Sequence, residues 1–91
     1  MANTQVFVSK IDSSSTKIIL LAENHLRKTA LIYNNSTSNL YVKYGDDVSI
    51  SLFTLCLGAG DYYELPMPCY AGIITGIWDS IDGNAMVTEI K

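Results

Sequence analysis

His25 is the only histidine in the 91-residue chain, so any Ser-His-Asp or Cys-His site would need it as its base. It lies in a polar connection with Asn24 and Arg27 close by, where a solvated imidazole is the ordinary outcome. Cys56 and Cys69 allow one bridge at most, and their spacing is not that of a metal-ligand pair. Two thiols acting as small hydrophobes is the simpler reading. Asp79, Asp82 and Glu89 crowd one stretch, and Asp79-Ser80-Ile81-Asp82-Gly83-Asn84 has the outline of a calcium loop. Ile81 occupies the third position, and no glutamate falls at the twelfth, so the segment reads as a turn. Asp46 and Asp47 likewise read as turn residues and not as a paired acid and base. Gly58-Ala59-Gly60 lacks the third glycine and the helix of a phosphate loop, and reads as a hairpin turn. The chain is therefore read as non-enzymatic, with no catalytic set, metal site or cofactor.

Two features rise above this background. Tyr62, Tyr63, Tyr70 and Trp78 fall close together and surround Pro66-Met67-Pro68. Tyrosine and tryptophan supply large rigid contact area and concentrate at interface centres. Tyr62 and Tyr63 are adjacent, so a regular strand points one inward and the other outward. Together with Tyr41, these residues form the candidate interface. The second feature is charge. Residues 1–45 carry five basic and two acidic side chains, and residues 46–91 carry one basic and seven acidic. Interleaving of the two halves would average this out; without it, the domain has two electrically unlike flanks.

The elements that must position these residues are strands. Ile, Val, Thr and the aromatic residues dominate, and Ser, Thr and Asn supply turns and strand surfaces. Apolar or alternating runs fall at 5–11, 17–22, 28–33, 39–44, 49–57, 62–65, 73–78 and 84–90, with a connection at 23–26 that allows a single helical turn. The run at 17–22 is continuously apolar and reads as buried. In 39–44, Leu40, Val42 and Tyr44 share one face, and Tyr41 and Lys43 share the other. Asp82-Gly83 is a strong two-residue hairpin signal. The expected fold is all-β: about eight short antiparallel strands in a two-sheet sandwich, on a jelly-roll or Greek-key-like path. Val6, Val8, Ile32, Leu40, Val42, Leu52, Ile77 and Val87 are the expected core.

Length and composition bound the partners. Ninety-one residues make one domain, 1–91. A net charge of −3 with only six Lys and Arg argues against nucleic acid. The longest apolar run, Ile18-Ile19-Leu20-Leu21-Ala22, is far short of the ~20 residues of a membrane-spanning helix. Met1-Ala2-Asn3-Thr4-Gln5 has neither the basic start nor the apolar stretch of a secretory signal, so synthesis in a reducing cytoplasm is expected.

One resemblance carries further. Arg27-Lys28-Thr29-Ala30-Leu31-Ile32-Tyr33-Asn34-Asn35-Ser36 is followed by Asn39-Leu40-Tyr41-Val42-Lys43-Tyr44-Gly45 and Gly60-Asp61-Tyr62-Tyr63-Glu64-Leu65-Pro66. Then come Tyr70-Ala71-Gly72-Ile73-Ile74-Thr75-Gly76-Ile77-Trp78 and Gly83-Asn84-Ala85-Met86-Val87-Thr88-Glu89. In this order the segments, spanning about residues 27–90, resemble small virion proteins of tailed bacteriophages. Residues 1–26 lie outside the resemblance and read as an N-terminal strand or arm able to add a strand to a neighbour. The resemblance implies a β-sandwich structural protein located in the virion, foremost a capsid decoration or cement protein bound to the major capsid protein. Neck, tail, baseplate and fibre-attachment roles are the alternatives. Other virion structural proteins are then the partners, and a homo-oligomer, most simply a trimer at a threefold position, fits such a lattice. A carbohydrate- or receptor-binding β-sandwich using Trp78, the tyrosines, Asp79 and Asp82 is the competing reading.

Overall fold

The computed structural model describes residues 4–91; the first three residues of the expected arm lie outside the described residues. The chain forms eight strands: β1 (Val6–Asp12), β2 (Ile18–Leu21), β3 (Thr29–Asn35), β4 (Leu40–Tyr44), β5 (Leu55–Leu57), β6 (Tyr62–Glu64), β7 (Ile74–Trp78) and β8 (Asn84–Ile90). They build two antiparallel sheets of four strands, ordered β1-β8-β3-β6 and β2-β7-β4-β5. The segment at 23–26 forms no helix.

The pairing is nested. β4 pairs with β5, β3 with β6, β2 with β7 and β1 with β8. Pairs β3–β8 and β4–β7 knit these hairpin layers into sheets. A long hairpin rolled over itself in this way is the jelly-roll path. One consequence corrects two turn assignments. Apart from β4–β5, every pair of consecutive strands lies in different sheets. Asp82-Gly83 and Gly58-Ala59-Gly60 therefore cross between layers and close no hairpin. Gly83 does take positive φ, +63°, and glycine is required there also because a Cβ would collide with the Asn35 carbonyl and with Ser36.

The core lies between the sheets. Leu20, Ile32, Leu40, Val42, Ile74, Trp78 and Val87 are buried in it. Sandwich alternation explains most of the set: Ala30, Ile32 and Asn34 of β3 and Ala85 and Val87 of β8 face inward, and their neighbours face out. In β2 the pattern is different. The register against β7 shifts between Ile19 and Leu21, and the bulge turns both Leu20 and Leu21 inward. That accounts for the unbroken apolar run, although β2 is an edge strand and Ile19 is exposed. Gly76 makes the room: a Cβ there would stand 2.8 Å from Leu20 Cδ1. The run at 49–57 contracts to β5, and Leu52 is exposed in the β4–β5 connection. Val6 and Val8, expected in the core, are each 60% exposed.

Two buried polar side chains tie the connections down. At one end, Asn34 Nδ2 donates to the carbonyls of Ser38, Leu57 and Gly58 at 2.8, 2.9 and 3.0 Å. Its Oδ1 accepts from Ser36 Oγ and from Trp78 Nε1. At the other end, the Arg27 guanidinium donates to the carbonyls of Ala22, Tyr70 and Gly72, and its Nε bonds Glu89 Oε2 at 2.8 Å. A guanidinium suits this position because its planar fork can serve several acceptors at once. No buried side-chain nitrogen or oxygen among the described residues lacks a partner.

The nested pairing also decides the charge question. It interleaves the basic N-terminal half with the acidic C-terminal half. Arg27 meets Glu89, Lys17 meets Asp46, and Lys43 meets Asp47. The two halves mix, as an interleaved sandwich requires.

Candidate functional site: an apolar sheet face

The outward side of the β1-β8-β3-β6 sheet is built by the residues that alternate with the core. Its cross-strand rows follow from register. Val6, Ile90 and Thr29 form the first. Val8, Thr88, Leu31 and Glu64 form the second, and Lys10, Met86, Tyr33 and Tyr62 the third. An antiparallel sheet with one solvated face normally presents polar residues there. Here Val6, Val8, Leu31, Tyr33, Tyr62, Met86 and Ile90 lie side by side on it. Tyr62 is 68% exposed. A shallow cleft of about 230 Å³, lined by Thr29, Ala30, Leu31, Glu64, Thr88 and Ile90, opens on the same sheet. Lys10 and Glu64 flank these residues, so the face is apolar at its middle and charged at its margin.

The candidate residues read from sequence do not gather into one patch. Tyr62 stands on this face. Tyr63 points inward, and its hydroxyl meets that of Tyr44 at 2.9 Å. Tyr70 stacks on Tyr44, with ring centroids 4.7 Å apart. Burial and the Tyr63 hydroxyl together push the Tyr44 phenol well above the usual tyrosine range. Tyr63 and Tyr70 thus fill the margin of the core. Tyr41 projects from the opposite sheet, half-buried against Phe53 at 4.9 Å between centroids. Pro66, Met67 and Pro68 are exposed in the β6–β7 connection. Trp78 is 1% exposed and belongs to the core, which corrects its assignment to the interface. It presents no ring face on which a sugar could stack.

The other titratable groups act as local ties. Asp79 accepts from the backbone and side-chain amides of Asn39. Asp82 accepts from the Thr37 amide at 2.7 Å and from Ser38 Oγ, and these bonds hold its carboxyl below the usual aspartate range. The hydrogen bond from Lys43 lowers Asp47 in the same way. His25 is exposed and meets Glu23 at 3.0 Å. Cys56 and Cys69 are free thiols. Burial raises the Cys56 thiol, and Asp79 and Asp61 raise it further. Among the described residues no three His, Cys, Asp or Glu side chains converge as metal ligands.

Sequence reasoning missed most of the apolar face. Leu31, Tyr33, Met86 and Ile90 are not among the candidate interface residues, and alternation alone assigns Val6 and Val8 to the core, where the structure leaves them exposed. The available signal was the double apolarity of β3 and β8: both alternating sets carry large hydrophobic residues, more than one covered face needs. Comparison with protein-family models, curated proteins and solved structures finds no match.

Proposed function

We propose that the chain is a non-enzymatic structural protein of a tailed-phage particle, foremost a capsid decoration or cement protein that docks on the major capsid lattice. Neck, tail, baseplate and fibre attachment are the alternative positions. The observation that supports a docking role is the apolar outward face of the β1-β8-β3-β6 sheet, centred on Leu31, Tyr33 and Tyr62. The ordered motifs of residues 27–90 supply the phage context. A rigid sandwich that offers one such face binds each site modestly, with about 800 Å² buried per partner. Repetition over a symmetric lattice converts many modest contacts into a strong clamp.

The test is quantitative mass spectrometry of purified particles assembled in cells that make the protein. Wild-type chain is expected in many copies per particle. Leu31→Asp, which charges the face without touching the core, is expected to be lost from the particles while remaining folded. Absence of the wild-type chain from washed particles, or undiminished incorporation of Leu31→Asp, overturns the reading.

A further inference from the structure

We infer that the free edge of β1 is a self-association site, at which a second copy of this chain adds its own β1 in antiparallel register. The inference goes beyond the docking role and rests on main-chain groups, not on the apolar face.

The parity of the hydrogen bonds comes first. Gln5 and Lys91 exchange both backbone bonds, and Ser13 donates to Gly83. With the register Val6↔Ile90 through Asp12↔Asn84, the odd residues of β1 therefore bond β8. The N–H and C=O groups of Val6, Val8, Lys10 and Asp12 point away from it. No strand pairs with that side among the described residues. A row of open main-chain groups is a template for another strand.

The remaining sheet edges are blunted. β5 and β6 have three residues each, and β2 has four and a bulge. β1 has seven residues in unbroken register. It is also the strand that its own fold covers least, with exposed apolar side chains on both faces: Val6 and Val8 outward, Phe7 inward.

The occupant follows from self-complementarity. Because the open groups belong to even residues, a two-fold axis at Ser9 gives complete overlap of the seven residues with correct hydrogen-bond parity. That register sets Phe7 against the partner's Ile11, an aromatic–β-branched pair of the stabilising kind. It lays the alkyl stem of Lys10 across the partner's Val8 with the ammonium free to reach water. The two charges of the strand, Lys10 and Asp12, cancel, so two chains of net charge −3 meet along a neutral strip. The product is one continuous sheet of eight strands, with the apolar faces of both copies on the same side.

An edge pairing of this size sits at the small end of specific interfaces, so the dimer is reversible. Sedimentation equilibrium of the purified full chain is expected to give a concentration-dependent dimer. In hydrogen exchange, the amides of Val6, Val8, Lys10 and Asp12 gain protection as concentration rises, while those of Phe7, Ser9 and Ile11 are protected throughout by β8. Val8→Pro removes only an edge-facing N–H, and weakens the dimer roughly tenfold or more. Ser9→Cys, with Cys56 and Cys69 replaced by Ser, cross-links on mild oxidation, since a central non-hydrogen-bonded pair stands about 4.5 Å apart at Cα, within disulfide reach. A chain that stays monomeric at all concentrations overturns the inference. So does a dimer in which the even-numbered amides remain fast. Either result leaves particle incorporation, read separately, untouched.

Discussion

Trp78 Nε1 donates to Asn34 Oδ1 across 3.3 Å, which joins the largest buried side chain to the amide that holds the β3–β4 and β5–β6 connections. The Asn34 amide has two hydrogens and three carbonyl partners, so one bond is shared. Asn34→Ala strands the Ser38 and Leu57 carbonyls and the Trp78 N–H together. The expected loss is about 3 kcal/mol or more, at about 1–3 kcal/mol per orphaned buried group, read from the denaturant midpoint. A variant within about 0.5 kcal/mol of wild type would show that water serves these groups equally well.

Arg27 performs the matching task at the other end. Arg27→Met leaves Glu89 without its buried cation and three carbonyls without a donor. Breaking a buried pair in this way costs about 3–5 kcal/mol. Arg27→Lys keeps the charge but cannot reach four acceptors in three segments. It should recover less than half of the loss in thermal melting.

The two adjacent tyrosines should separate by phenotype. Tyr63→Phe removes the hydroxyl contact with Tyr44 and costs about 1 kcal/mol. Tyr62→Ala, on the exposed face, should leave stability within about 0.5 kcal/mol of wild type. Chemical denaturation of both variants checks the assignment. Equal losses would contradict it.

Acid sensitivity follows from Asp82 and Asp47, whose carboxyls are held below the ordinary aspartate value of 3.8 in the folded chain. A depressed folded pKa gives stability that is present above the unfolded value and is lost as pH falls through the folded one. Melting temperature should therefore hold above pH 4 and fall below the ordinary aspartate value. Asp82→Asn should be less stable near neutral pH and show a shallower acid slope.

Gly83→Val should destabilise through backbone and contact together. A β-branched residue resists φ of +63°, and its Cβ would enter the space of the Asn35 carbonyl and Ser36. A loss of at least about 2 kcal/mol is expected. An unchanged melting temperature would mean that the β7–β8 connection can move aside.

The local content of the fold was legible. β8 matches its expected span because Ala85 and Val87 alternate with larger outward residues between clear breaks. Alternation also separated Tyr62 from Tyr63. What failed was nonlocal. A period of two states which residues share a face but not whether that face is covered, so Val6 and Val8 were placed inside. Asp82-Gly83 carries the conformational cue of a tight turn, yet the cue does not say whether the joined strands share a sheet. β3 runs two residues beyond its expected end because Asn34, a turn-former by composition, is satisfied by backbone carbonyls inside the sandwich. Trp78 looked like a contact residue because its type is common at interfaces. Its buried partner Asn34 lies 44 positions away and left no mark in its neighbourhood.

The nested pairing sets an order on folding. Only β4 and β5 are close in the chain among paired strands, and the distance to be closed grows outward until Val6 meets Ile90. Each outer pair closes a larger loop unless the inner pairs have formed first, so loop-closure entropy favours assembly from the middle of the chain toward both ends. Among the described residues, β8 is the sole in-sheet neighbour of β1. β1 therefore cannot dock in its sheet until residues 84–90 have left the ribosome, and clipping β8 away sets β1 free as well.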